Sequence, residues 1–240
     1  MKAQEWRQAL GECVRDFFRT PEMEHFYSVK LTRERARIYL LQLGLYARQR
    51  RNNWPQVAAN CPEFDVKQRI MSHEFEELVE DEHSKTGHLD LIFRQGKEVG
   101  LSVDDVMNAA PLPTTKAATY AWFWIARTRP WQEAIAASTI AEWTNDDRLL
   151  GDMGGGNCSR LYKIWSRDLN FSAAQMPNFT AHSKADVKHS TCSSMFWKNM
   201  SCRDASRMSS RPRRNRWAST VPISAAWRKR WRKHPKPSLA

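Results

Sequence analysis

The segment Phe179-Thr-Ala-His182-Ser-Lys-Ala-Asp186-Val-Lys-His189-Ser190 concentrates side chains able to do chemistry. At about 100° of rotation per residue, His182, Asp186 and His189 (i, i+4 and i+7) fall within roughly 60° of one another, so a helix presents all three from one face. Two helical turns can then aim imidazole and carboxylate donors at a single point. Such a set suits iron, manganese or zinc inside a helical bundle. The same spacing also serves a solvated face on which His and Asp merely pair.

A second stripe lies upstream. Glu77, Asp81 and His88 stand at i, i+4 and i+11, and share one sector if a single helix runs through them. Gly87 can break that phase, which leaves Glu80 and Glu82 as alternatives to Glu77 or Asp81. The run from Glu74 to Glu82 reads equally well as a solvated acidic surface. A further carboxylate, Glu142, sits in the apolar run Ala134-Ile-Ala-Ala-Ser-Thr-Ile140-Ala-Glu142-Trp143. An isolated buried charge is costly, so Glu142 must be paired, neutral or metal-bound.

These residues need helices to position them, and the pattern predicts little else. Trp6, Leu10, Cys13, Phe17 and Phe18 recur at three- and four-residue spacing over 3–19, with Pro21 as a stop. A helix buried on several sides is expected over 32–51, a short segment from Trp54-Pro55 to Asn60, and a long helix from Pro62 into Glu80–Glu82. Gly87 marks a break or re-entry before 88–99, and Ser102 can cap a short turn. Thr114 or Thr115 opens a helix through Tyr120 and Trp124, Pro130 opens the next, and a glycine loop over 151–156 precedes helices near 159–168 and 177–190. The aromatic cluster Tyr120, Trp122, Phe123, Trp124 and Trp131 reads as core packing or as the wall of a substrate pocket. The fold class is all-α, a bundle of about seven helices.

The chain has 240 residues, long enough to bury a core without disulfide or metal staples. Residues 1–190 carry 25 basic and 25 acidic side chains; the other 13 basic side chains and one acidic, all after Ser190, account for the formal net charge of +12. Five cysteines without a CxxC pair, and no apolar leader, fit a reducing cytoplasm, and no apolar run is long enough to span a membrane.

Taken together, His182-Ser-Lys-Ala-Asp186-Val-Lys-His189, Gly87-His88-Leu-Asp-Leu, Glu142, Pro111-Leu-Pro-Thr-Thr-Lys116 and Asn178-Phe-Thr-Ala-His182 resemble the haem-oxygenase-like dinuclear iron oxidase and oxygenase superfamily. That group shares its bundle with thiaminase II and pyrroloquinoline-quinone synthase. The resemblance spans roughly residues 20–190. Its dinuclear enzymes place a Glu and a His on one core helix, a Glu on another and a His-x3-Asp-x2-His motif on a third. It implies His88, Glu142, His182, Asp186 and His189 as ligands, with Asp81 or Glu77 as the carboxylate before His88; Asp81 has the family-like spacing but is Asp where Glu is usual. It also implies two iron ions as cofactor, O2 as co-substrate, and oxidative cleavage or N-oxygenation of a small organic molecule. A metal-free acid–base enzyme of the thiaminase II or quinone-synthase type is the alternative within the fold. The formation of a homodimer stays open.

After Ser190 the pattern changes. Residues 191–240 hold nine Arg, four Lys, nine Ser, four Trp and no Glu, and no face can bury an apolar stripe. The resemblance implies one more amphipathic helix that would close the bundle, in place of this basic, irregular tail. Three readings stand: an arm whose Arg and Trp residues contact nucleic acid, a membrane-surface segment, or translation out of frame after codon 190. The second function class is therefore a basic-tailed nucleic-acid-binding protein, and a degenerate, inactive product is a further one.

Overall fold

The computed structural model describes residues 3–82 and 84–182. All of their regular structure is helical, and no helix among them is long and apolar enough to cross a membrane. Ten α-helices have both ends within the described residues: α1 (Ala3–Phe18), α2 (Pro21–Ser28), α3 (Arg33–Asn60), α4 (Phe64–Leu78), α5 (His88–Glu98), α6 (Val103–Met107), α7 (Pro113–Thr128), α8 (Trp131–Trp143), α9 (Asp147–Leu150) and α10 (Asn157–Leu169). Residues 177–182 are helical as well.

Helix α3 is the spine. Capped by Thr32, whose side chain accepts from the Arg35 N–H, it runs through 28 residues, about 42 Å at 1.5 Å per residue, and packs against α4 to α8. The sequence predicts two segments, 32–51 and 54–60; the protein has one helix with Pro55 inside it. Proline forfeits a helical N–H bond. The burial of Trp54, Val57 and Ala58 just around it offsets that loss.

Two apolar clusters lie along this spine. At its C-terminal half, Trp54 and Val57 meet Leu10, Val14 and Phe18 of α1, Val66 and Ile70 of α4, and Ile135 of α8. Its N-terminal half, through Ala36 and Leu40, meets Ile92 of α5, Leu161 and Trp165 of α10, and Met176 and Phe179. Buried polar residues Arg50 and Asn53 interrupt α3's apolar face where the C-terminal cluster begins.

Elsewhere the protein departs from the sequence expectations in detail. Helix α7 starts at Pro113, with Leu112 rather than a threonine as its cap, because proline's fixed φ suits a first helical turn. The aromatic cluster does not form a wall: Tyr120 and Trp124 are 62% and 53% exposed, while Trp122 faces Arg50. The helix from Pro62 does not reach Glu82, since α4 starts at Phe64, ends at Leu78, and non-helical backbone over 79–82 and 84–87 follows. Glu80 and Glu82 are exposed there.

Candidate metal centre

Because α4 ends at Leu78, helical phase cannot bring Glu77, Asp81 and His88 together; a reversal of the chain does. Gly87 caps α5 and lies against the end of α4, where a Cβ would come within 2.6 Å of the Leu78 carbonyl oxygen. Only glycine permits that approach. The turn is tied internally: the Ser84 N–H donates to Asp81 Oδ2 at 3.1 Å, and Ser84 Oγ donates to the Thr86 carbonyl at 2.8 Å. His88, the first residue of α5, thereby lands with Nδ1 2.9 Å from Glu77 Oε1 and Nε2 3.5 Å from Asp81 Oδ2.

His182 arrives from the opposite side. The helical segment 177–182 is anchored by Phe179, buried against Trp165 and Tyr39. It places the His182 ring 4.4 Å from the His88 ring. The His182 Nδ1–H donates to the Asn178 carbonyl at 2.7 Å; a carbonyl only accepts, so this fixes the proton on Nδ1 and leaves Nε2 as the donor for a ligand. Glu77, His88 and His182 offer atoms that all lie within 4.8 Å of one another. Asp186 and His189 lie outside the described residues.

Glu142 comes from the last turn of α8. Arg50 of α3 bonds its Oε1 and also reaches the Ser138 carbonyl at 3.4 Å. The guanidinium is nearly buried, with the rings of Tyr46, Trp54 and Trp122 within 5.7–5.8 Å of it. Burial works against the charged Arg50, but Tyr46 and the carboxylates of Glu142, Glu77 and Glu74 raise its pKa above the ordinary arginine value. Pairing thus answers the cost of the buried Glu142.

Sequence reasoning missed the residues that join the two halves of this cluster. Arg51 lies 3.1 Å from Glu74 Oε1 and 3.0 Å from Glu77 Oε2. Burial alone would push the Glu77 carboxyl up; Arg51, and after it His88, more than reverse this and hold it well below the usual carboxylate range. His73 stands one turn before Glu77 on α4, and with Glu77 and Glu142 it forms a second group of donors within 4.8 Å. The i, i+4 spacing of His73 and Glu77 was the available signal, hidden in an acidic run that reads as solvated surface.

Carboxylates and imidazoles with no thiolate among them fit a divalent metal of the iron, manganese or zinc type. The all-helical architecture is that of a haem-oxygenase-like bundle. A crystal structure, at 2.30 Å, of a domain of unknown function with a heme oxygenase-like fold from Shewanella denitrificans OS217 superposes with a TM-score of 0.65 at 17% identity, covering 94% of this chain and 87% of that one. The chain belongs to the TENA/THI-4/PQQC family, whose model matches residues 22–168. No curated protein matches the chain.

Proposed function

We propose that the protein is a non-haem iron oxidoreductase that uses O2 to oxidise a small organic substrate, with two irons held by Glu77, His88, His182 and Glu142, joined by Asp186 and His189 from beyond the described residues. The observation that carries this reading is the convergence of Glu77, His88 and His182 from three separate segments on one nearly buried point. Iron, when bound, supplies the dioxygen reactivity and one-electron steps that amino-acid side chains lack.

The chain's own residues prepare the site for it. Arg51 keeps Glu77 ionised, so the carboxylate can bind a cation without first losing a proton. The Asn178 carbonyl sets the tautomer and orientation of His182. Asp81 steadies the turn that delivers His88. The rings of Trp54, Trp122 and Tyr46 around Arg50 exclude water from the Glu142 side and strengthen every electrostatic contact there.

The test is iron quantified in full-length protein reconstituted anaerobically with ferrous salt, followed by oxygen uptake on exposure to air. About two equivalents and oxygen consumption are expected; far less than one equivalent would sink the proposal. A second reading, metal-free acid–base catalysis, is favoured by one feature: Arg50 and Arg51 already balance Glu142 and Glu77. Under it, His182→Ala changes the pH dependence of turnover and leaves metal uptake untouched.

A further inference from the structure

His73 lies outside the ligand set that the resemblance implies, yet its geometry is that of a ligand. Its Nδ1 stands 3.2 Å from Glu74 Oε1. Glu74 is buried and paired with Arg51 at 3.1 Å, so its carboxylate accepts and the proton belongs on His73 Nδ1. A neutral imidazole of that tautomer presents the lone pair of Nε2. This nitrogen faces Glu77 Oε1 at 3.9 Å and Glu142 Oε1 at 4.0 Å. Both distances exceed a hydrogen bond. They match instead the separation of roughly 3–4 Å between donors that share one ion at about 2.0–2.2 Å from each.

The surroundings support the same assignment. Trp54 packs its ring 5.2 Å from the imidazole and holds it in place, and the His73 side chain is only 13% exposed. A carboxylate behind a histidine, with the far nitrogen aimed at further carboxylates, is the arrangement by which proteins orient a metal-bound imidazole and raise its basicity. Glu77 reaches both ways, with Oε1 2.9 Å from His88 Nδ1 and 3.9 Å from His73 Nε2.

We propose that His73 is a metal ligand of this chain: its Nε2, with Glu77 and Glu142, forms a second metal position that shares Glu77 with the position of His88 and His182, and Glu74 is the positioning residue that sets the tautomer of His73. This rests on the iron reading above, and extends it to a residue that the reading does not use.

The experiment is anaerobic titration of the full chain with Fe(II), and in parallel with Co(II), whose visible bands report nitrogen ligation. His73→Ala is expected to weaken one equivalent by about tenfold or more, to spare the other, and to change the Co(II) spectrum of the weakened one. Glu74→Gln weakens the same equivalent by about tenfold while His73 is still present. Should His73→Ala lose its helical circular dichroism, His73→Gln, closer in volume and polarity, takes its place. Metal uptake and Co(II) bands indifferent to loss of the imidazole overturn the inference and leave the iron reading standing. A wild-type chain that takes up no metal overturns both.

Discussion

His88 Nδ1 lies 2.9 Å from Glu77 Oε1, although one residue opens α5 and the other belongs to the last turn of α4, with a complete reversal of the chain between them. The contact exists because Gly87 lets the start of one helix touch the end of the other. It also identifies Glu77 as the carboxylate to which both the His88–His182 group and the His73–Glu142 group are tied.

Glu77 and Asp81 should therefore respond differently to substitution. Glu77→Ala removes the donor common to both groups, and iron affinity should fall by about 100-fold or more. Asp81→Asn chiefly loosens the tie from Asp81 to Ser84 ahead of His88, and should cost about tenfold, the usual scale for an orienting residue. Anaerobic competition titrations with a ferrous chelator would measure both; a larger loss for Asp81→Asn than for Glu77→Ala would reverse the assignment.

Arg50→Met tests the buried pair on α8. Glu142 would be left as an uncompensated, nearly buried charge, a change that typically costs about 3–5 kcal/mol. At roughly 2–4 °C per kcal/mol for a chain of this size, the metal-free melting midpoint should drop by about 10 °C. Added Fe(II) should narrow the gap between variant and wild type, because a bound cation neutralises the same carboxylate.

Gly87→Ala places a methyl group against the Leu78 carbonyl, which must move. Overpacking of this kind costs about 1–3 kcal/mol, and here the displacement carries His88 away from Glu77. Lower thermal stability together with weaker iron binding is expected. Unchanged iron affinity in a destabilised variant would show that the reversal can relax without moving His88.

Asp168 supplies a pH test remote from the centre. Arg167 beside it, opposed by partial burial and aided by the Leu31 N–H at 2.7 Å, holds its carboxyl down at about 2. A lowered carboxylate contributes stability above its unfolded value near 3.9, and loses it as pH falls toward 2. Asp168→Asn should lower the midpoint at pH 7 by a few degrees, the scale of about 1 kcal/mol for one such bond, and the deficit should close between about pH 4 and pH 2. Thermal melts across that range decide it.

Much of this protein is local and was therefore legible. Helical periodicity in α1 and α10, the Ser102 cap and the stop before Pro21 depend on neighbours a turn away, and each appears where spacing placed it. The separation of a charge-neutral 1–190 from a basic 191–240 is a property of composition alone, though the tail's nature lies outside the described residues. The side chains singled out by type and spacing, Glu77, Asp81, His88, Glu142 and His182, meet around one buried region.

What required the tertiary structure was who faces whom. Pro55 reads locally as a break, and only burial against α1, α4 and α8 keeps α3 whole through it. Arg50 and Arg51 look like two of many surface cations until α3 is packed, when one turns to Glu142 and the other to Glu74 and Glu77. His73, just before the acidic run of 74–82, carries no distinct signal in the sequence for the same reason. A sequence states the charges and the helical phase of each segment; which buried charges end up compensated depends on the packing of segments far apart in the chain, and that packing is what brings His88 and His182 to Glu77 and Glu142 to His73.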